Sequence, residues 1–385
     1  MRILQVVNIG YEAGGAERSV RLITDGLIER GHDVEVLATD LLSAGQRVFA
    51  HHLVPSIRGS APRRFVRKLW YQQAYDRARA VLDDFEPDCV HLHTIGELSP
   101  SVLAATARIP RLLTVHGPED WTLNLLRWNL ASATGPGGLS VADRARYAYL
   151  RFVQRPAYLP KLRGIDRIIT PSRYFADAVT PDVGAERTYV VPNGIERTAR
   201  PTPIRDTANL LFVGRLEHVK GVEILLRAFR EITKEHPRAR LTIVGDGTDR
   251  ERLETEFADL RSAGTVVFTG WLSSAAVTEQ VSAASVVVLP SLWPENFPTV
   301  ALEAMQAGRP MVASRVGGLP ELVAEDNGVL VPPGDPAALA TALNGLLGRA
   351  DLLNRLGAAS AARADRYDRD RFLDALEQHY REVCA

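Results

Sequence analysis

Short apolar runs recur along the chain, and most are followed by stretches with helical spacing. In the first half the runs are RILQVVNI (2–9), DVEVLATD (33–40), CVHLH (89–93), RLLTVHG (111–117), DRIITPS (166–172) and RTYVVPN (187–193). Each reads as a buried strand, and strands that alternate with helices predict a parallel, doubly wound sheet. Between Trp121 and Ser140 the pattern is lost, and TGPGG (134–138) predicts a mobile loop. The stretch VVPNGIERTARPTPIRD (190–206) has a turn, then prolines, then polar residues, which is the composition of a linker. Beyond it the alternation resumes with NLLFVG (209–214), RLTIVG (240–245), TVVFTG (265–270), SVVVLP (285–290), PMVAS (310–314) and GVLVP (328–332). The tail DRDRFLDALEQHYREVC (368–384) has the spacing of an amphipathic helix.

The pattern therefore predicts an α/β protein with two Rossmann-like domains in series, 1–195 and 208–367, a linker at 196–207 and a closing helix at 368–385. The length of 385 residues agrees, because single cores seldom grow past about 250–300 residues. The chain carries 46 Lys+Arg against 46 Asp+Glu, so no overall charge points to nucleic acid. Residues 1–195 hold 24 cations and 20 acids (24 − 20 = +4), which leaves 22 and 26 (−4) for the remainder. Two cysteines, Cys89 and Cys384, give no disulfide framework. The first nine residues read as a strand rather than a signal peptide, and no apolar run approaches membrane-spanning length, so a cytoplasmic protein is expected.

The chemistry concentrates in PENFPTVALEAMQAG (294–308). Glu295 lies in the loop after a predicted strand, and Glu303 lies inside VALEAMQA, a run of good helix formers. Pro298 suits a first-turn position, which would leave the amides of Thr299, Val300 and Ala301 free to hold an anion. A ligand there would meet a carboxylate at either end. A solvated helix start with two glutamates reads equally well from spacing alone. Other strand ends add to it. Gly214-Arg215 and Lys220-Gly221 place two cations around one strand-to-helix turn, which suits a diphosphate and reads equally well as two surface cations. Gly245-Asp246-Gly247 forms a tight turn, and the backbone of Gly270-Trp271-Leu272 is placed to border a base.

In the first domain Gly14-Gly15 precedes a helix start, as a phosphate-binding turn or simply as a tight turn. The G-x-G-x-x-G spacing of a dinucleotide site is absent, which argues against a dehydrogenase. His91 and His93 share one strand face and read as structural. His116 ends its strand before Gly117 and is the better candidate for a site histidine, with a structural role as the other reading. No accompanying ligands stand at metal-binding spacing, so no metal is expected. Asp368-Arg369-Asp370 resembles a metal-binding D-x-D string but sits at a helix start, where acids cap. Arg58, Arg63, Arg64, Arg67 and Lys68 are interleaved with Phe65, Leu69 and Trp70, and Arg144–Arg163 carries Tyr147, Tyr149, Phe152 and Tyr158. Either stretch would suit an anionic lipid surface or an acidic acceptor; either would equally suit an exposed helix face with its aromatics turned inward.

Taken in order, GGAE (14–17), PSRY (171–174), VPNGI (191–195), GRLEHVKG (214–221), GDG (245–247), ENFPTVALEAMQAG (295–308) and VGGLPELV (316–323) resemble the retaining family-4 glycosyltransferases of the GT-B fold. The resemblance spans nearly the whole chain. It implies two Rossmann-like domains facing each other across a cleft, with the closing helix crossing back to the first. It implies that Glu303 binds the ribose of a nucleotide sugar and Glu295 the hydroxyls of the transferred sugar. The backbone of Asn296, Phe297, Pro298 and Thr299 would approach sugar and phosphates, and Arg215 and Lys220 would neutralise the leaving diphosphate. Gly15 would admit the phosphates and His116 would face the sugar. The donor would be a nucleoside diphosphate sugar with uridine the expected base, the acceptor a sugar, a lipid-linked or a small-molecule hydroxyl, and no metal or other cofactor would be needed. Contact with an anionic membrane through Arg58–Lys68 would be peripheral, at the inner face. The chain departs from the family where Gly117 follows His116 in place of the usual Asp, a role that Asp120 would have to fill, and bulky Trp271 would bias the base pocket. That departure keeps open a catalytically silent sugar-nucleotide-binding subunit. Another GT-B enzyme, such as a sugar-nucleotide epimerase, is disfavoured by the paired glutamates with Arg215 and Lys220.

Overall fold

The computed structural model describes residues 1–385 apart from 13, 42–46, 118–139, 198 and 206. The expected mobile loop at 134–138 and Asp120 lie outside the described residues. The chain divides into two compact units, Met1–Gly194 with Arg369–Ala385, and Ile195–Asp368.

The first unit is built on seven parallel strands: β1 Arg2–Ile9, β2 Asp33–Thr39, β3 His52–Val54, β4 Cys89–Leu92, β5 Arg111–Thr114, β6 Arg167–Thr170 and β7 Thr188–Val190. Their order across the sheet is β3-β2-β1-β4-β5-β6-β7. The edge strand β3 has three residues, only one of them buried, which is too short to leave a periodic signal in the sequence. Helices cover both faces, as the apolar character of the central strands requires. The Gly15–Glu29 helix buries Val20, Ile23 and Leu27 along one stripe. The C-terminal helix Arg369–Cys384 inserts Phe372, Leu373, Leu376 and Tyr380 into a cluster with Ile3, Ile23, Leu27, Leu112 and Ile169. Such side chains contribute roughly 1.5–3 kcal/mol each when removed from water, so this helix is an integral part of the first unit. At its start Asp370 stands 3.1 Å from Arg30, and Asp374 one turn later stands 2.7 Å from the same guanidinium.

The second unit carries six parallel strands: β8 Asn209–Val213, β9 Arg240–Val244, β10 Val266–Gly270, β11 Val286–Leu289, β12 Met311–Ser314 and β13 Gly328–Val331. They are ordered β10-β9-β8-β11-β12-β13. The proline-rich segment read as a linker lies against this unit: Ile204 is buried, its amide donates to Asn354 Oδ1 at 2.9 Å, and Thr202 Oγ1 accepts from buried Arg309.

In both sheets the strand order reverses once, between β1 and β4 and between β8 and β11. At such a point the loops leave the two neighbouring strands in opposite directions and open a crevice at the carboxyl edge, where ligands of open α/β sheets bind. The fold therefore singles out four loops before any side chain is considered.

Candidate active site

In the second unit the loops after β8 and β11 are locked together by backbone contacts. The Leu292 amide donates to the Val219 carbonyl at 2.8 Å. Gly221 follows a one-turn 3-10 segment, His218–Lys220, and turns with φ +68°; a Cβ there would fall 1.9 Å from the Pro290 carbonyl oxygen. Only glycine permits both the turn and the approach.

That approach puts Lys220 Nζ 2.6 Å from Glu295 Oε1, and Ser291 Oγ donates to the same oxygen at 2.6 Å. A backbone clamp holds Glu295 from behind. The Gly318 amide donates to the Glu295 carbonyl at 2.7 Å. Gly317, with φ +56°, comes so close that a Cβ would lie 2.1 Å from that carbonyl oxygen. Burial by itself pushes the Glu295 carboxyl up. The Lys220 charge and hydrogen bond, the Ser291 hydroxyl and the Arg215 charge outweigh it, so the group sits below its ordinary value and stays ionised. Arg215 is largely exposed and pairs with Glu217 at 2.7 Å.

The loop then enters the Thr299–Gln306 helix. Pro298, expected in the first turn, is instead the residue just outside it, because its ψ of 127° is extended. Ala301 consequently donates to the Pro298 carbonyl at 3.1 Å and is not one of the open amides. Thr299 and Val300 occupy the first two helical positions, whose amides have no carbonyl within the helix to meet. They form the anion-facing start. Phe297 is buried edge-on against Tyr367, with ring centroids 5.3 Å apart, and Asn296 is buried beside it. Glu303 is buried one turn inside the helix. Asn296, Phe297, Pro298, Thr299 and Glu303 are thus continuous with the Lys220–Glu295–Ser291 cluster. Beyond β9, the Leu216 amide donates to the Asp246 carbonyl at 2.9 Å, which ties the G-D-G turn to the Arg215 loop. Trp271 projects into solvent after β10.

In the first unit Gly15 is the first residue of its helix, with Gly14 as an extended cap. His116 lies just past β5 and is half-buried. Its Nε2 is 2.9 Å from Nδ1 of buried His93, whose Nε2 is 2.9 Å from Gln5 Oε1. His91 is held by Tyr380 Oη and Thr114 Oγ1, both at 2.7 Å. Desolvation pushes His91 down to about 3, His116 down to about 4, and His93 well below the usual histidine range. All three rings are neutral near pH 7. His93, read from the sequence as structural, is in direct contact with His116; only the placement of β4 beside β5 creates that pair.

The remaining expectations map as follows. Lys68 pairs with Glu97 at 2.6 Å and Arg58 with Asp40 at 3.2 Å, which removes two of the five cations from the basic stretch. Phe65 and Val66 point outward, and the Phe65 ring meets Tyr149 at 4.9 Å. This joins the stretch to the second basic-aromatic segment, where Phe152 and Val153 are also exposed. No helix among the described residues is long and apolar enough to cross a membrane. Among the described residues no group of three or more His, Cys, Asp or Glu is placed to hold a metal ion. Ser291 and Gly317 were not singled out by the sequence. Ser291 stands four residues before Glu295, and Gly317 lies inside VGGLPELV, a motif with no chemistry of its own.

Comparison with known proteins bears on the family and the fold. Residues 195–363 match the family model for glycosyl transferases group 1, and residues 13–198 match that for glycosyltransferase family 4. A glycogen synthase of Mycobacterium tuberculosis is 31% identical over 87% of this chain and 82% of its own length. A D-inositol 3-phosphate glycosyltransferase of Acidothermus cellulolyticus is 32% identical over 97% and 87%. Among solved structures, sucrose-phosphate synthase from Thermosynechococcus elongatus superposes with a TM-score of 0.77 at 23% identity, covering 100% of this chain and 99% of that one. Anabaena HepE, solved with UDP and glucose, superposes with a TM-score of 0.68 at 20% identity over 99% and 100%. With an α/β fold of two parallel sheets, an ionised glutamate clamped beside a lysine at a helix start, and relatives of this kind along its length, the chain belongs to the family-4, group 1 glycosyltransferases of the GT-B fold.

Proposed function

We propose that the protein is a retaining glycosyltransferase that moves a hexosyl unit from a nucleoside diphosphate sugar, with uridine as the base, to an acceptor hydroxyl, without a metal or other cofactor. The observation that carries this reading is the Lys220–Glu295–Ser291 cluster at the start of the Thr299–Gln306 helix. Cleaving the bond between the anomeric carbon and the diphosphate builds positive charge on the sugar and negative charge on the leaving group. Lys220 has three donors, so it can hold Glu295 and still meet a phosphate oxygen. Arg215, exposed on the same loop system, adds a forked cation, and the Thr299 and Val300 amides add fixed dipoles. Ionised Glu295 accepts sugar hydroxyls. Glu303, one turn further, accepts those of the ribose.

Retention follows if the acceptor oxygen attacks the face from which the diphosphate departs. The anomeric C–O bond to phosphate breaks, the bond to the acceptor oxygen forms, and the acceptor proton passes to a departing phosphate oxygen. The names of the relatives support the reading: glycogen synthase and the inositol-phosphate enzyme are transferases, and HepE was also solved with UDP-glucose. Exposed Phe65, Val66, Phe152 and Val153 beside Arg63, Arg64 and Arg67 support peripheral contact with an anionic membrane and hence a lipid-linked acceptor. The protein would then work in the cytoplasm, at the inner face of that membrane.

The test is turnover of UDP-, GDP-, ADP- and dTDP-glucose, with water and with sugar or lipid acceptors, followed by NMR with and without EDTA. We expect release of UDP, unchanged by EDTA, and an α-linked product from the α-linked donor. A β-linked product or loss of turnover in EDTA would overturn the mechanism. Binding without turnover for any acceptor would favour the silent subunit.

A further inference from the structure

Gln5, Thr24 and His93 lie behind His116, and their hydrogen bonds can run in one direction only. Thr24 Oγ1 is 2.8 Å from the Val20 carbonyl oxygen, which can only accept, so the threonine proton is committed there. The same Oγ1 must then accept its second bond, from the Gln5 side-chain amide at 2.7 Å. That orients Gln5 and leaves its Oε1 facing His93 Nε2 at 2.9 Å. An amide oxygen accepts, so His93 carries its proton on Nε2. In a neutral ring Nδ1 is then the acceptor, and the group it faces at 2.9 Å, His116 Nε2, must be the donor. Burial keeps His93 neutral: the ring is about 1% exposed.

We propose that Thr24, Gln5 and His93 are positioning residues, a directed relay that holds His116 as a single neutral tautomer with its proton on Nε2 and the lone pair on Nδ1. The direction originates at a helix carbonyl and crosses β1 and β4, the strands that flank the sheet's reversal point, to the end of β5. His91 steadies the relay from the side. Its ring centroid is 4.0 Å from that of His93, and it is pinned by Thr114 Oγ1 and Tyr380 Oη. Any catalytic consequence rests on the transferase reading, in which none of the three positioning residues touches the substrate. The relay itself does not depend on that reading.

The test uses the full chain with 15N-labelled histidine. Ring nitrogen spectra distinguish the two tautomers, and the His116 signals are assigned by their loss in His116→Gln. We expect the Nε2–H form in the natural protein and in Thr24→Ser, which keeps the hydroxyl. Gln5→Met and Thr24→Val should give a mixture or the Nδ1–H form; two variants are used so that a folding failure in one leaves the other. An Nδ1–H signal in the natural protein, or an unchanged Nε2–H signal in both variants, would overturn the relay. Where turnover is measured, Thr24→Val should lower kcat roughly tenfold, about the worth of one neutral hydrogen bond, with KM for the donor unchanged and Thr24→Ser restoring the rate. Expected tautomers in a protein without turnover would uphold the relay and count against the transferase reading alone.

Discussion

The two units share a plan and differ in how they treat charge. Both have parallel sheets that reverse order once, and both carry candidate residues on the loops at that reversal. The second unit partly buries an ion pair, Lys220–Glu295, and surrounds it with a hydroxyl and a helix start. The first buries two imidazoles, half-buries a third and keeps each of them uncharged. One cluster is built around a fixed pair of opposite charges. The other offers neutral hydrogen bonds whose direction is set in advance. A common fold therefore fixes where a site lies, while its chemistry depends on which buried groups are allowed to ionise.

The largest effect should come from breaking the charged side. Glu295→Gln keeps the shape and removes the charge, and should lower transfer by about 100- to 1,000-fold. Lys220→Met strands the carboxylate and should also destabilise the second unit by about 3 kcal/mol, the low end for a buried pair, because both side chains keep some solvent contact. Assay of donor turnover with calorimetric unfolding separates the two outcomes.

Acid should separate the units next. A histidine held neutral by the fold has a depressed value, so below about pH 6.5 the unfolded chain takes up protons that the folded unit refuses. Stability of the first unit should fall as pH drops from about 6.5 towards 4, by up to roughly 2 kcal/mol for each of His91 and His93 at pH 5. Glu295 works in a lower window. Its depressed carboxyl contributes stability above the unfolded value and loses it only as pH falls below about 4.5. Scanning calorimetry at pH 7 and pH 5 should show the first unit's transition move down further; equal shifts would contradict the contrast.

Gly317→Ala assigns the other transition. It meets both a positive φ and a carbonyl at 2.1 Å, and should cost the second unit about 3 kcal/mol and weaken donor binding. Gly334→Ala is the control. Its φ is +73° but its nearest neighbour is 3.6 Å away, so about 1 kcal/mol is expected. The smallest effect belongs to the surface. Replacing Arg63, Arg64 and Arg67 by Gln should change stability by no more than about 0.5 kcal/mol while reducing sedimentation with anionic vesicles. Undiminished sedimentation would remove the membrane from the account.

The sequence was most legible where a feature is local. Glu295 and Glu303 stand on one loop and one helix, so their eight-residue spacing already placed them on either side of a single helix start. The alternation of apolar runs and helices gave both sheets, but not β3, whose three residues sit at an edge. Pro298 fell one position outside the expected turn because only the observed ψ decides where the helix begins. Ser291 and Gly317 came from tertiary packing: one is a hydroxyl aimed by a turn, the other a backbone pressed on Glu295 from a distant loop. The His93–His116 contact depends on strand order, which no spacing within either segment encodes.

The central claim is that the loop and helix around Glu295 and Glu303 hold a nucleoside diphosphate sugar. Calorimetric titration of UDP and UDP-glucose into the natural protein, Glu303→Gln and Glu295→Gln tests it most directly. The account predicts that Glu303→Gln weakens UDP and UDP-glucose alike, by roughly tenfold or more for a buried hydrogen bond to a charged group. Glu295→Gln should spare UDP and weaken only the sugar nucleotide. Unchanged UDP binding in Glu303→Gln, or equal losses for both ligands in Glu295→Gln, would contradict it.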